Sequence, residues 1–211
     1  MEINTKKQLA IILSRLKGFP EPNFRLEQYM TEADFAAEVV WNAFYRREIE
    51  EKTIADLGCG TGILGLSTLL MGASKVYFVD IDEKALSTAR ENLAFLEKEL
   101  DIELKDKAEF VVSDVKKFDD KVDIVVENPP FGIKGEKHAD KVFLEKAMSI
   151  AEVVYSFHKK ESSKFIEAVA KDNGFKVEGY WEFNWSLKQT MKFHKKKVQK
   201  IEVSCWRLVK K

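Results

Sequence analysis

The sequence predicts an α/β fold, a doubly wound Rossmann-like sheet of seven strands, mostly parallel, with an antiparallel hairpin at its C-terminal edge and a helical extension at its N-terminus. Three observations carry this reading. β-Branched and aromatic runs alternate with helical patterns through the middle of the chain, which implies right-handed βαβ units with helices on both faces of a sheet. The first of these runs ends in a glycine-rich turn into a helix. The last two follow each other with no helix between them and so should pair antiparallel. With 211 residues, one sizeable core is available and two enzymatic domains are not. A single domain is expected, divided into a helical extension over 1–52 and a core over 53–211, without repeats or linkers.

In chain order, amphipathic patterns predict helices over Lys6 to Leu16 and Glu32 to Tyr45, separated by the break Gly18-Phe19-Pro20-Glu21-Pro22. Thr53 to Leu57 reads as a short buried strand, closed by Gly58-Cys59-Gly60-Thr61-Gly62. A helix over Ile63 to Met71 should stop at Gly72, a residue suited to a C-terminal cap. Lys75 to Asp80 predicts the second strand, and Glu83 to Leu100, rich in Ala, Leu, Glu and Lys, a helix. Ala108 to Val112 and Val122 to Glu127 predict two more strands, Lys137 to Ile150 a helix, Glu152 to Phe157 a fifth strand and Glu161 to Asp172 a helix ending at Asn173-Gly174. The last strands are Phe175 to Phe183 and Val198 to Val209, joined by a connection over Asn184 to Lys197.

A hydrophobic content of 45% with 33% charged residues indicates a folded chain. No apolar run is long enough to span a bilayer, and the polar stretch Met1 to Lys7 lacks the core of a secretory signal, so a cytoplasmic location is expected. Cys59 and Cys205 form no CxxC pair and lie near no histidine at ligand spacing, so neither a metal nor a disulfide is expected. The formal net charge is zero. Its distribution is uneven: beyond Trp185 stand Lys188, Lys192, Lys195, Lys196, Lys197, Lys200, Arg207, Lys210 and Lys211 against the single acid Glu202. Lys192, Lys195, Lys196 and Lys197 are candidate contacts to nucleic-acid phosphates, set against an ordinary solvated surface.

The run Ile54 to Gly62 brings a strand sharply into a helix through glycines, a device shared by many nucleotide-binding folds. Asp56 ahead of the glycines would repel a pyrophosphate but suits a cofactor end bearing an ammonium. Asp80 ends the second strand, where a carboxylate can accept from both hydroxyls of a ribose. Ile81 beside it would pack on an adenine face, and Asp114 after the third strand would accept from the adenine amino group.

Glu127-Asn128-Pro129-Pro130-Phe131-Gly132 follows the fourth strand and is the most informative stretch. An exocyclic amine conjugated to a ring is a poor nucleophile because its lone pair is delocalised. Accepting both of its N–H groups, through the Asn128 side-chain oxygen and the Pro129 carbonyl, favours a pyramidal nitrogen, and no strong base is needed. Pro130 helps fix the backbone and Phe131 would stack on the base, so the rate gain is expected from orientation and hydrogen bonding. The target base must be unpaired or flipped out. No partner acid or nucleophile lies at a recognisable spacing from His138, His158 or His194, which read as structural or surface residues.

On these motifs the sequence resembles class I S-adenosylmethionine-dependent methyltransferases with the Asn-Pro-Pro-aromatic motif, and among them the methyltransferase-like-five type ribosomal RNA adenine-N6 methyltransferases. Leu26-Glu27-Gln28-Tyr29-Met30-Thr31, Val154-Tyr155-Ser156-Phe157-His158-Lys159 and Lys192-Phe193-His194-Lys195-Lys196-Lys197 carry the finer resemblance over nearly the whole chain. It implies that Gln28, Tyr29 and Thr31 close over S-adenosylmethionine, that Gly58, Thr61, Ile63, Asp80, Asp114 and Val115 line it, beside Gly60 and Ile81 read from the turn and strand end above, and that Asn128 to Phe131 hold an adenine. It implies a small-subunit ribosomal RNA target and, in eukaryotic members, a small zinc-binding activator on the exposed sheet edge. Met30 stands where a proline is common. Two other readings stay open: a protein glutamine-amide methyltransferase, which faces the same lone-pair problem but usually ends the motif in tyrosine, and a non-catalytic cofactor-binding scaffold.

Overall fold

The computed structural model describes residues 3–131, 139–188 and 198–211. The chain opens with α1 (Lys6–Leu13), whose first turn is closed by a reciprocal capping box between Thr5 and Gln8. The helix ends at Leu13 rather than at the predicted Leu16. Arg15 and Leu16 bond the carbonyls of Ile12 and Leu13, so the last turn tightens ahead of Gly18 although Leu16 is still buried. A strap of irregular chain leads to α2 (Ala33–Tyr45). β1 (Thr53–Leu57), α3 (Ile63–Leu70), β2 (Lys75–Asp80), α4 (Glu83–Leu100) and β3 (Ala108–Val112) follow. α3 ends one residue short of the expected Met71, which is its C-cap, and Gly72 then turns the chain at a positive φ of 96°.

The second half comprises β4 (Ile124–Glu127), α5 (Ala139–Ile150), β5 (Val153–Lys159), α6 (Ser163–Asp172), β6 (Phe175–Lys188) and β7 (Val198–Lys210). β4 starts two residues later than predicted, because Val122 and Asp123 bond to Ile150 and Thr53 before the ladder begins. β5 runs on to Lys159 because β7 lies antiparallel beside it, pairing His158 with Ser204 and Lys159 with Val203. The expected connection is shorter than its sequence suggests: Asn184 to Lys188 continue β6, opposite Val198 to Glu202 of β7.

The sheet has the order β3-β2-β1-β4-β5-β7-β6, parallel as far as β5 and antiparallel beyond. β1 leads to β2 and β3 on one side and β4 to β5 on the other, so the order reverses beside β1, where ligands of such sheets collect. The central strands are buried on both faces, as parallel strands are. Ile54, Val76 and Phe78 face α1 to α4, while Ala55, Leu57 and Val79 face α5 and α6. Among the described residues, no helix is long and apolar enough to cross a membrane.

By sequence Arg207 belongs with the basic residues available to phosphate. Instead it is buried in β7, pairs with Glu48 and, at 3.0 Å, with Glu178, and shares Glu48 with the Tyr155 hydroxyl. Its charge ties the sheet to the turn after α2.

Candidate active site

Above the C-terminal ends of β1, β2, β3 and β4 lies a cavity of about 210 Å³, continuous with the strap between α1 and α2. Gly58 and Gly60 form part of its floor at φ of 65° and 54°. A Cβ on Gly58 would stand 2.7 Å from the Phe143 ring of α5, and one on Gly60 would stand 2.6 Å from the Phe19 ring of the strap. Glycine is thus required here by two aromatic rings as well as by backbone conformation. In the sequence Phe19 is only part of a break and Phe143 only part of an apolar helix stripe, so nothing there singles out either.

Asp80 ends β2 at the cavity. Its Oδ2 accepts from Gly60 N at 2.8 Å and its Oδ1 from Asp82 N at 2.9 Å. One bond per oxygen leaves a carboxylate with further lone pairs, enough for two hydroxyls. Burial raises its pKa, against the pull of those backbone N–H groups. Ile81, 58% exposed, and the buried Val115 present apolar surface to the cavity. Asp114 caps the 3-10 turn Val115–Lys117 by accepting from Lys116 N at 2.9 Å, and also lines the cavity.

A smaller recess adjoins this cavity and is lined by Tyr29, Thr31, Asp56, Gly58, Gly60, Thr61, Ile63 and Asn128. Three of its polar groups show that it is built for a polar guest. The Thr61 hydroxyl and the Asn128 side-chain oxygen are buried without a hydrogen-bond partner among the described residues. Asp56 accepts from Gly65 N at 2.7 Å, yet burial pushes its pKa up to about 7. Orphaned buried polar groups each cost about 1–3 kcal/mol, so a site retaining them fits a ligand that satisfies them.

The strap is held at both ends. Asn92 of α4 accepts from Lys17 N at 2.8 Å and donates to the carbonyls of Lys17 and Thr61, each at 3.0 Å, which ties the strap to the glycine turn. Farther on, Gln28 is expected from the resemblance to reach the cofactor. Its Nε2 donates to Asp82 Oδ2 at 2.7 Å and its Oε1 accepts from Asn23 N at 2.7 Å, so it latches the strap to the start of α4 while also bordering the cavity. Thr31 lines only the recess, and its hydroxyl accepts from Asn128 Nδ2 at 2.9 Å. Tyr29 borders both spaces.

Of the motif after β4, Asn128 and Pro130 line the cavity, Pro129 is buried, and Phe131 is half-buried. The Phe131 ring meets Trp185 of β6 edge to face, centroids 6.2 Å apart, and Trp185 is braced likewise by Phe35 of α2. Sequence reasoning misses Trp185, because it ends that strand at Phe183. Beneath the motif, Glu127 Oε1 accepts from Ser156, whose hydroxyl lies 2.8 Å from His158 Nε2. Burial pushes Glu127 up to about 8 and His158 down to about 3. Both side chains are held uncharged inside the sheet, and neither lines the cavity or the recess. Lys192, Lys195, Lys196 and Lys197, with His138 and His194, lie outside the described residues.

The methyltransferase small domain family matches residues 30–178. A Methanocaldococcus jannaschii protein is 34% identical over 209 residues, covering 97% of this chain and 94% of its own length. The Danio rerio rRNA N(6)-adenosine-methyltransferase METTL5 is 37% identical, covering 93% of this chain and 95% of its own. The crystal structure of a proposed RNA methyltransferase from Pyrococcus horikoshii superposes with a TM-score of 0.88 at 41% identity, covering 99% of this chain and 98% of that one.

Proposed function

The chain belongs to the methyltransferase small domain family, and we propose that it methylates the N6 amino group of an unpaired adenine in ribosomal RNA. The observation that carries this reading is the Asn128 carboxamide: its nitrogen is engaged by Thr31, and its oxygen is buried and unpartnered among the described residues where the cavity meets the recess. S-adenosylmethionine, when bound, supplies an electrophilic methyl group. Asp80 would hold its ribose, Asp114 its adenine amino group, Ile81 and Val115 the adenine faces, and Asp56 and Thr61 the ammonium and carboxylate of its methionine end.

Asn128 Oδ1 and the Pro129 carbonyl would each accept one N–H of the target amine, drawing its lone pair out of conjugation. Phe131, fixed by Trp185, would hold the base in line. Orientation of this kind supplies rate without a side-chain base at the moment of transfer, the surplus proton on the methylated nitrogen leaving to water afterwards, which suits a site that neither Glu127 nor His158 lines. The finer reading is a small-subunit ribosomal RNA, with a small zinc-binding activator adding to a free sheet edge. β3 offers such an edge, with Val112 exposed at its end.

The test is incubation of ribosomal RNA and of total protein with the chain and isotope-labelled S-adenosylmethionine, with and without a candidate activator, followed by mass spectrometry of the nucleosides and the peptides. Labelled N6-methyladenosine in the RNA is the expected result. Label in protein glutamine instead, or in neither fraction, would overturn the reading.

A further inference from the structure

We propose that Thr31 is a positioning residue for the transfer step: its hydroxyl fixes the Asn128 carboxamide with oxygen towards the target amine, so closing the strap over the cofactor also sets the amide. The inference deepens the proposed function and rests on it. A carboxamide has two nearly isosteric ends, and only one of them serves an amine target. With Nδ2 outward, two N–H groups would face each other and the lone pair would gain nothing. The amide must therefore be held against a half-turn about its last side-chain bond.

Thr31 is the group placed to do this. Its hydroxyl is 2.9 Å from Asn128 Nδ2, and Thr31 and Asn128 are 97 residues apart, so the contact exists only when the strap lies against the end of β4. Thr31 is 4% exposed, so its hydroxyl is a buried partner for the amide nitrogen. The oxygen at the other end of the amide has no partner among the described residues. A buried acceptor left open beside a donor that is satisfied is the arrangement required for an incoming N–H. The strap carrying Thr31 is latched separately, through Gln28 to Asp82 and Lys17 to Asn92. The strap therefore stays closed when the Thr31 hydroxyl is lost, while the amide loses its restraint.

The experiment compares Thr31→Val, which keeps the shape, with Thr31→Ser, which restores the hydroxyl. For Thr31→Val, kcat on RNA at saturating S-adenosylmethionine should fall about tenfold or more, whatever the change in cofactor Kd, and Thr31→Ser should recover most of kcat. In ¹⁵N-asparagine-labelled protein, the Asn128 side-chain amide, assigned by its loss in Asn128→Ala, should exchange slowly in wild type and Thr31→Ser and rapidly in Thr31→Val. A kcat unchanged at saturating cofactor would make Thr31 a cofactor contact alone and overturn the proposal, as would an amide signal indifferent to the hydroxyl. The nuclear magnetic resonance arm needs no substrate. Absence of adenine methylation by wild type, with the amide behaving as expected, would therefore count against the proposed function and leave the positioning contact in place.

Discussion

At the scale of single residues, the site separates groups that hold cofactor from groups that act on the target, and substitutions should separate them too. Asp80→Ala should weaken S-adenosylmethionine binding at least about a hundredfold, since two hydrogen bonds to a charged acceptor are removed. It should also cost about 1–3 kcal/mol of stability, because Gly60 N and Asp82 N lose their acceptor in a buried turn. Titration calorimetry and denaturant unfolding read the two effects. The sequence alone suggests little loss of stability, since it does not reveal that the acid also ties down the glycine turn. Asn128→Ala should leave cofactor affinity near wild type and lower turnover about a hundredfold or more, the scale of one preorganised partner removed from a transition state. The residues legible in the sequence are those whose chemistry is unusual where they stand: acids at strand ends, glycines at a turn, and Asn-Pro-Pro-Phe. Phe19, Phe143 and Asn92 are not legible, because an aromatic or an asparagine in a helix or a break is ordinary until its neighbour across the fold is known.

At the scale of elements, β1, β2, β3 and α4 end where the sequence places them, because local signals mark both boundaries, such as the Asp82 cap of α4. The far end of β6 is illegible for the opposite reason. Asn184 to Lys188 become strand only because Val198 to Glu202 lie alongside, and that partner is set by tertiary pairing. The strap is likewise an element made by distant contacts. Gln28→Ala removes its bond to Asp82 and should raise the Kd for S-adenosylmethionine about tenfold, the worth of one hydrogen bond to a charged group, with kcat at saturation little changed. An unchanged Kd would mean that the latch does not report on closure. For the basic connection, replacing Lys195, Lys196 and Lys197 with alanine should weaken RNA binding and reduce the salt slope by about one for each phosphate no longer neutralised, with cofactor affinity unaltered. A slope equal to wild type would assign these lysines to solubility alone.

At the scale of the whole molecule, the acids of the described sheet residues that are 1% exposed or less are Asp56 on β1 and Glu127 on the adjacent β4. Burial raises them to about 7 and about 8, and the charge of Asp56 adds to the rise at Glu127. The folded chain therefore binds more protons than the unfolded chain between the ordinary carboxylate range and these values. Stability contributed by such groups is full below the unfolded pKa and is lost as pH rises through the folded one. His158 acts with the opposite sign: held down to about 3, it contributes stability above the ordinary histidine range that is lost as pH falls towards 3. Denaturant unfolding should accordingly show a decline of a few kcal/mol, on the order expected for buried carboxylates, as pH rises from about 5.5 to about 8.5. Glu127→Gln keeps the shape and the Ser156 contact but cannot ionise, so it should flatten much of that decline. Cofactor provides an independent handle on the other acid. An ammonium seated beside Asp56 favours its ionised form and draws its folded pKa back towards the unfolded value, so saturating S-adenosylmethionine should flatten the Asp56 share of the slope in wild type and in Glu127→Gln alike. If cofactor raises stability by the same amount at every pH, neither the ammonium nor the carboxylate of its methionine end lies against Asp56.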